Sequence, residues 1–496
     1  MSPILRLHAA LVAAALAGCA VGPDFLGPPP PAVASYTAEA LPKETAAAPV
    51  DGGAPQRFVS GEEIPPQWWA LFRSEALDRL IRQALEDSPT LAAAQATLRV
   101  AEENRRAQFG ALLPRVDMNA SASRQKISGA SFGQPANNPS FTLYNASVDV
   151  TYALDLFGGT RRELEALQAE VEYRRYQLEG ARLTLTSNLV VTAVQEASLR
   201  AQIRATREIV AAEERQLALV EQKFRLGGGS RTDVLAQQAQ LAQTRTTLPP
   251  LEKQLAQARH RLALLSGRFP GEAGKLPEFD LEGLNLPQEL PVSLPSSLAR
   301  KRPDIRAAEE LLHAASAGIG VATANLYPQL TLTGSFGSRT TKLQDLFGGG
   351  TSVWSLGAGL LQPIFRGGEL TAKRRAAIAA YSLAEAQYRE TVLLAFQNVA
   401  DVLRALETDA QTLQAQADAE AAAFASLGFA RQKFRLGAVN YLTLLNAERQ
   451  HQQARIGLVQ ARAARFSDTA ALFQALGGGW WNHAPDVGVE TISKKE

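Results

Sequence analysis

Cysteine and methionine are nearly absent from this chain of 496 residues, which contains one cysteine, Cys19, and two methionines. A single cysteine excludes an intramolecular disulfide framework and any Cys-x-x-Cys metal or redox motif. Aromatic residues make up only 7% of the chain, and basic and acidic side chains nearly balance at 51 and 49. Because the charges are evenly mixed and the chain has no polybasic run, we expect no nucleic-acid partner.

Long apolar runs are also missing from the mature chain. No stretch after the N-terminal segment approaches the ~20 apolar residues that a transmembrane helix needs. A mature chain that crosses a membrane would therefore do so with strands. The five histidines lie in unrelated contexts, and the chain has no nucleophile elbow, phosphate-binding loop or His-Glu-x-x-His motif. We therefore expect no enzymatic activity, no cofactor and no metal site.

Residues 1–18 are typical of a signal peptide. The apolar stretch from Ala9 to Ala17 is too short for a resident membrane helix but has the length of an h-region. The string Leu16-Ala-Gly-Cys19 resembles a bacterial lipobox, so we predict that Cys19 is lipidated and becomes the first mature residue. The alternative is a small buried cysteine near an ordinary cleavage site. Since one acyl chain binds a membrane only marginally, we expect a second membrane attachment.

Residues 19–66 form a proline-rich tether, because ten of the 26 prolines lie between Gly22 and Pro66. Such a segment has no core of its own, and it either lies along the folded body or is disordered. The remainder divides into a first repeat, a linker, a second repeat and a C-terminal tail. Their predicted bounds are 67–270, 271–300, 301–477 and 478–496.

An internal repeat defines the organisation of the chain. The hexapeptide Gln-Lys-Phe-Arg-Leu-Gly occurs at 222–227 and again at 432–437, an offset of 210 residues. Two further landmarks, an apolar or aromatic residue before proline and a Phe-Gly-Gly-like turn, recur in the same order. Each half has a helix, two strand-like segments, a very long helix, a glycine turn and a long return helix. We infer that the chain arose by duplication.

Four segments alternate apolar and polar residues with a period of two. They cover 116–123, 144–155, 330–336 and 354–360. This pattern is typical of outer-membrane barrel strands. The alternative is a soluble antiparallel sheet with one face packed on a core and the other exposed to solvent. Open sheet edges do not survive in hydrocarbon, and bacterial barrels need at least about eight strands. Several chains must therefore share one barrel, and strand counting alone allows two copies or three.

Two stretches, from Gly159 to Gly227 and from Gly368 to Gly437, contain no proline and one internal glycine each. Helices of about 65 residues would extend roughly 100 Å. Their apolar residues recur at spacings of three and four, which suits coiled-coil packing, although a solvated stalk is the alternative. We expect return helices at 232–265 and 442–476, the first interrupted by Pro249-Pro250.

Six strings spread over the mature chain carry a family resemblance. They are Cys19-Ala-Val-Gly-Pro-Asp-Phe25, Tyr152-Ala-Leu-Asp-Leu-Phe-Gly-Gly159, Arg302-Pro-Asp-Ile305, Pro363-Ile-Phe-Arg-Gly-Gly368, Tyr441-Leu-Thr-Leu-Leu445 and Ala475-Leu-Gly-Gly-Gly-Trp480. The chain thus resembles the TolC-like outer membrane factor family, in particular the lipoprotein branch that serves resistance-nodulation-division (RND) efflux pumps.

The resemblance implies an α+β membrane protein with an internal two-fold sequence repeat. Its homotrimer would share a 12-stranded outer-membrane β-barrel, with four strands per chain, continuous with a long periplasmic α-helical barrel. The protein would be lipid-anchored in the outer membrane, in contact with outer-membrane lipid, and would project into the periplasm. Its partners would be a periplasmic membrane-fusion adaptor and an inner-membrane RND transporter.

The function implied is a passive exit duct of a tripartite efflux system. The alternatives are a non-channel periplasmic coiled-coil lipoprotein spacer, or the exit duct of a metal-export or type I secretion system. The resemblance places the periplasmic mouth at the two hairpin tips. The residues expected to dock the adaptor are Gly227, Gly228, Gly229, Ser230, Gly437 and Ala438.

A gate is expected just beyond the second tip. Similar proteins often carry an aspartate there, in a Leu-Leu-Asp-Ala string, but this chain has Asn446, so we do not expect an acidic ring at that level. Our gate candidates are Leu442, Asn446, Arg449 and, more weakly, Asp233. The string Ser230-Arg-Thr-Asp233 is also typical of a helix N-terminus, where negative charge is favourable.

Overall fold

The computed structural model describes residues 20–128 and 138–482, so the predicted signal peptide, Cys19 and most of the predicted tail lie outside the described residues. Within these ranges the α-helices are α1 (Glu75–Asp87), α2 (Pro89–Phe109), α3 (Gly159–Arg225), α4 (Arg231–Leu265), α5 (Pro295–Lys301), α6 (Pro303–Ala324), α7 (Glu369–Arg435) and α8 (Tyr441–Ala475). The strands are β1 (Arg57–Ser60), β2 (Arg115–Lys126), β3 (Ser140–Leu154), β4 (Glu289–Val292), β5 (Gln329–Thr340) and β6 (Ser352–Leu361).

The repeat predicted from the sequence is present in the helices. The long helices α3 and α7 each have 67 residues, and the return helices α4 and α8 each have 35. Every boundary in the second hairpin follows its counterpart by 210 residues, the offset of the repeated hexapeptide. None of the helices in the described part of the chain combines the length and apolarity needed to cross a bilayer.

The predicted interruption of the first return helix is wrong, because α4 runs through both Pro249 and Pro250. Proline lacks an N–H, so two intrahelical hydrogen bonds are lost, but its fixed φ angle is compatible with a helix. The hydroxyls of Thr246 and Thr247 donate to backbone carbonyls three residues earlier, each at 2.7 Å. These bonds engage the backbone in the turn before the prolines, and the helix continues.

The chain forms two compact units, and each takes segments from both repeats. The first unit comprises the described parts of residues 1–28, 97–175 and 307–389. It contains one antiparallel sheet with the strand order β2-β3-β5-β6. The four predicted strands are thus confirmed, and each extends beyond the predicted segment by one to four residues at most ends.

The first unit also holds the start of the described chain. The amide of Val21 donates to the carbonyl of Phe157 at 3.0 Å, and the ring of Phe25 stacks on His313 at 4.4 Å. Gly22, at a φ of 104°, lies against Gly320, where a Cβ would come within 2.4 Å of backbone. A residue with a side chain would not fit this contact, so glycine is required at position 22.

The second unit comprises the described parts of residues 29–96, 176–306 and 390–496. Its core contains four aromatic rings that are almost fully buried: Trp68 stacks on Phe473 at 5.2 Å, and Phe72 lies 6.3 Å from Phe466. Strands β1 and β4 pair in parallel, a small sheet that the alternation pattern did not predict. Because β1 belongs to the proline-rich segment, that segment lies along the body of this unit.

Arg465 on α8 anchors the same segment. Its side chain is 1% exposed and donates to the carbonyls of Gly52 and Ala54, at 2.9 and 3.1 Å. It also donates to Thr45 Oγ1 and Gln56 Oε1, both at 3.2 Å. The described residues of the tether therefore lie along the folded body, which is one of the two alternatives that the sequence left open.

Candidate functional surfaces: the four-stranded sheet and the hairpin tips

The four-stranded sheet has one apolar and one polar face. Residues directly opposite each other on successive strands form rows that cross the whole sheet, and the two central rows differ sharply in character. One row is Met118, Val148, Phe336 and Trp354, and the adjacent row on the other face is Asp117, Asp149, Ser335 and Ser355. Every member of the apolar row is exposed, Trp354 by 73%. An exposed apolar face backed by a polar face is the arrangement of a membrane strand that borders water.

The edges of this sheet are formed by β2 and β6. Every residue of both strands is exposed in the single chain. Because all three strand pairs are antiparallel, β2 and β6 run in opposite directions. The β6 edge of one chain can therefore pair antiparallel with the β2 edge of another, and the pattern can repeat until the sheet closes.

The hairpin tips have nearly identical backbones. After α3, Gly227 adopts a φ of 79°, and after α7, Gly437 adopts 74°. In both tips the next residue donates its amide to the carbonyl of the lysine five residues earlier, at 3.0 Å for Gly228 and 2.9 Å for Ala438. This is the Schellman ending of a helix, and it requires positive φ at the glycine. The docking candidates Gly227, Gly228, Gly437 and Ala438 are exposed, and they are accompanied by two exposed leucines, Leu226 (79%) and Leu436 (76%).

Each return helix starts with a polar cap. Ser230 Oγ accepts the amide of Asp233 at 3.1 Å, and Asp233 Oδ2 accepts the amide of Ser230 at 3.2 Å, which completes a capping box. Asn440 Oδ1 accepts the amide of Thr443 at 3.0 Å. Asp233 thus caps the N-terminus of α4, as the string Ser230-Arg-Thr-Asp233 indicated.

The remaining gate candidates lie on one exposed side of α8. Leu442 is 57% exposed, and Asn446 and Arg449 follow at spacings of four and three. The side-chain amide of Asn446 makes no hydrogen bond to any other residue in the described ranges. Arg449, in contrast, donates from Nε to Gln240 Oε1 on α4. Arg449 is therefore the candidate that links one hairpin to the other.

Behind Arg449 lies a buried polar network that sequence reasoning missed. Glu213 on α3 is 2% exposed, and its Oε1 accepts from Gln240 Nε2 (3.1 Å), Thr244 Oγ1 (3.0 Å) and Gln452 Nε2 (2.7 Å). Through Gln240, the guanidinium of Arg449 and the carboxyl of Glu213 are connected by two hydrogen bonds. Glutamines at helical spacing resemble an ordinary solvated face, so the sequence carried no sign of this network.

These surfaces define a protein with a membrane-type sheet and two long helical hairpins. Residues 80–268 and 294–478 match the model of the family described as outer membrane efflux protein, one match in each repeat. These matches cover most of the chain, which therefore belongs to the outer membrane efflux protein family. The TolC-like resemblance seen in the sequence is thereby confirmed.

Relatives and solved structures agree with this assignment. The chain is 34% identical over 422 residues to the pyoverdine export outer membrane protein OpmQ of Pseudomonas aeruginosa, covering 84% of this chain and 87% of the relative. It is 31% identical to the toluene efflux pump outer membrane protein TtgF of Pseudomonas putida, covering 94% and 95%. The solved structure of the outer-membrane channel OprN superimposes with a TM-score of 0.83 at 30% identity, covering 93% of this chain and all of that one.

Proposed function

We propose that three copies of the chain form the exit duct of a tripartite efflux system. The duct passively conducts substrates that an inner-membrane RND transporter delivers through a periplasmic adaptor. The observation that carries this proposal is the four-stranded sheet with one exposed apolar face and two unpaired antiparallel edges. Three copies supply twelve strands, which exceeds the minimum for a bacterial barrel.

The exposure of α7 supports the same assembly. Large apolar side chains protrude along this helix in the single chain: Ile378, Leu383, Leu393, Leu394, Phe424 and Phe429 are 42 to 66% exposed. Both helices bury other apolar residues, but on the counterpart α3 only two large apolar side chains are exposed, Leu219 (60%) and Phe224 (41%). A row of this kind on a water-soluble helix marks a protein contact, and a neighbouring copy would cover it.

The relatives indicate that the duct does not define the cargo. Proteins of about 30% identity carry names that refer to pyoverdine, to toluene and to antibiotics. We infer that the transporter selects the substrate and that this chain supplies the passage. The gate candidates Leu442, Asn446 and Arg449 would then control an opening without recognising what passes.

Channel activity is tested by single-channel conductance of the purified protein in planar bilayers. We expect discrete openings from the oligomer. A coiled-coil spacer would give no openings and would stay soluble without detergent, and either result from a correctly folded preparation would contradict the proposal. A duct for metal export or type I secretion would also conduct. The neighbouring genes distinguish these systems from the proposed one, for which we expect genes of an adaptor and an RND transporter.

Strand sharing is tested by engineered cysteines in a Cys19→Ala background. Within one chain β2 and β6 are separated by three strand spacings, about 14 Å, which a disulfide cannot bridge. We would place one cysteine on the polar face of each strand and scan the register in steps of two residues. Oxidation should produce covalent dimers and trimers at one register. A chain that remains monomeric at every register would refute the shared sheet.

The gate candidates are tested by Asn446→Asp. If the exposed face of α8 points toward a threefold axis, three carboxylates would converge and form a hard-oxygen site for a divalent cation. We expect the native channel to be nearly insensitive to added divalent cations and the variant to be blocked, as measured by conductance. Equal block of both channels would place the gate elsewhere and leave Asn446 as a solvated helix residue.

A further inference from the structure

A pocket lies on the apolar face of the four-stranded sheet, against the connection between β5 and β6. We call it the sheet pocket and define it by Met118, Val148 and Phe336 of the apolar row and by Phe347 of the connection. Its volume is about 340 Å³, within the range of pockets that hold a small ligand. All four side chains are exposed in the single chain, Phe347 by 84%. The sheet pocket is therefore an open apolar surface and not part of a packed core.

The connection between β5 and β6 is fixed over this face by hydrogen bonds. Ser338 lies on the apolar face, two residues after Phe336 on the same strand, and is 7% exposed. Its hydroxyl is hydrogen-bonded to the carbonyl of Leu346 and lies 2.7 Å from Thr351 Oγ1. Because Leu346 and Thr351 flank Phe347 in the connection, these contacts hold the phenylalanine ring beside the sheet. The pocket is thus built by defined contacts within one chain.

Closure of the barrel leaves the sheet pocket uncovered. A neighbouring copy adds strands at the β2 and β6 edges, whereas the pocket lies on the face of the sheet and takes residues from all four strands. The apolar face of a barrel in the outer membrane borders lipid. An apolar gap offers water too few hydrogen-bond partners. A lipid chain is therefore the occupant whose chemistry fits this place.

Two basic side chains lie on the same face, toward the hairpin-turn end of β2. Even-numbered residues of this strand lie on the apolar face, so Arg124 and Lys126 are on the side that carries Met118. Both are exposed, and neither forms an ion pair with another residue of the described ranges. Basic residues on a lipid-facing surface are strongly destabilising at the bilayer centre and nearly neutral at its interface. Arg124 and Lys126 therefore mark the level of the lipid headgroups.

The spacing between these cations and the pocket matches the length of a lipid. Arg124 follows Met118 by six residues, about 20 Å along the strand and about 15 Å along the membrane normal for a tilt of about 40°. Half of a hydrocarbon core of ~30 Å is also about 15 Å. A headgroup at Arg124 thus places the end of its acyl chain level with the sheet pocket. Helices α2 and α3 adjoin the opposite ends of β2 and β3, so the cations face the outer leaflet and not the periplasm.

The internal repeat shows that these cations are specific to the first repeat. Strand β5 begins 214 residues after β2, and both strands have 12 residues. At that offset Arg124 and Lys126 correspond to Ser338 and Thr340, which are uncharged. Arg339 lies near the same end of the sheet but on the opposite, polar face. Only the first repeat therefore directs cations toward lipid, and Arg339 is a matched control.

We propose that the sheet pocket and the two cations bind one acylated glycolipid of the outer leaflet that carries a phosphate monoester. The phosphate lies between Arg124 and Lys126, which donate charge-assisted hydrogen bonds to its oxygens. One acyl chain follows the apolar face of β2 and ends between Phe336 and Phe347. A phosphate monoester carries about −1.5 to −2 charges and matches two cations better than the singly charged diester of a phospholipid. The inference goes beyond the proposed duct, because it assigns a ligand to the outside of the barrel.

The test titrates the detergent-solubilised oligomer with diphosphoryl lipid A or with phosphatidylglycerol and counts bound lipids by native mass spectrometry. We expect lipid A to bind at least about tenfold more tightly than phosphatidylglycerol, because its phosphates are monoesters. Comparable affinities would show a general attraction of anionic lipid to the barrel and would overturn the proposal. Tighter binding of phosphatidylglycerol would overturn it as well, in favour of a phospholipid site.

Matched variants locate the site. Arg124→Gln combined with Lys126→Gln should weaken lipid A at least about tenfold, whereas Arg339→Gln should leave its affinity within about twofold. Arg124→Lys combined with Lys126→Arg keeps both charges and should retain affinity within about threefold, which separates lost charge from misfolding. Phe347→Ala should weaken lipid A about tenfold, since covering an exposed phenylalanine contributes at least that factor. An equal loss in the Arg339 variant, or unchanged affinity in the glutamine pair or in Phe347→Ala, would refute the site.

Failure of this inference is distinguishable from failure of the proposed function. The same preparations are measured for conductance in planar bilayers. An oligomer that conducts but binds lipid A equally in every variant refutes the lipid site and leaves the duct intact. An oligomer that discriminates the lipids through Arg124 and Lys126 but does not conduct supports the lipid site and refutes the duct.

Discussion

Replacement of Arg465 by methionine is expected to release the proline-rich segment from α8 while leaving the helix folded. Methionine keeps much of the apolar stem of arginine but donates no hydrogen bond. The lost bonds are those to the carbonyls of Gly52 and Ala54 and to the side chains of Thr45 and Gln56. All of these acceptors lie in one stretch of the segment, so the effect should be local.

The magnitude follows from the acceptors that remain buried. Thr45 Oγ1 keeps the backbone amide of Gln56 as a donor at 3.0 Å, whereas Gln56 Oε1 is fully buried and would be left without a donor. A buried acceptor without a donor costs about 1–3 kcal/mol, so this single orphaned oxygen costs about 2 kcal/mol at the middle of that range. Local opening would then become about 30-fold more frequent, since 1.4 kcal/mol is a factor of ten.

Hydrogen exchange of the detergent-solubilised oligomer measures this opening directly. The amide of Thr45 donates to the carbonyl of Gln56 at 2.9 Å, and that of Ala48 donates to Gly53 at 2.8 Å, so both report on the segment. The control is Arg404→Met, because Arg404 faces Glu39 at 3.8 Å but is 61% exposed. Exchange that rises less than threefold in the Arg465 variant, or equally in both variants, would refute the anchoring argument.

Three further predictions concern pH, lipid and assembly. Burial and the adjacent Asp409 raise the pKa of Asp468 from 3.8 to about 7, so the stability of the native chain should fall as pH rises between about 4 and 7. In Asp468→Asn the melting temperature should vary less over that interval in calorimetry, and an unchanged pH profile would count against the buried pair. Cys19→Ala should abolish acyl labelling but still permit oligomers, and label that persists would disprove the lipobox. Light scattering in mild detergent should show an oligomer, and a monomer that retains its strands would contradict the shared sheet.

The fold was predictable where the sequence is periodic over a long stretch. Alternation with a period of two located all four strands of the large sheet, and the verbatim hexapeptide fixed the offset that relates the two hairpins. Strands β1 and β4 were not predicted, because each has only four residues, too few to show alternation. The continuity of α4 through Pro249-Pro250 was not predicted, because a proline pair normally breaks a helix. Whether a helix tolerates such a pair depends on the neighbouring backbone and side chains.

The candidate site was predictable in its turns but not in its contacts. Glycines 227 and 437 were recognisable because a helix ending followed by a return helix requires positive φ. The partner of Arg449 was not recognisable, because Gln240 is distant in sequence and polar pairing between hairpins leaves no periodic trace. The same holds for Glu213, whose burial becomes visible only when three helices are brought together.

The repeat also explains why the polar contacts within the second unit are concentrated on particular helices. At the equivalent position of the first repeat, Arg465 is replaced by Leu255, and Asp409 and Asp468 are replaced by Leu199 and Ala258. All three replacements are apolar, so these positions of the first repeat carry no charge. In the second repeat the charged residues hold the N-terminal segment and place two carboxyls side by side. Duplication thus supplied a symmetric pair of hairpins, and a few buried charges made the second hairpin the one that binds the tether.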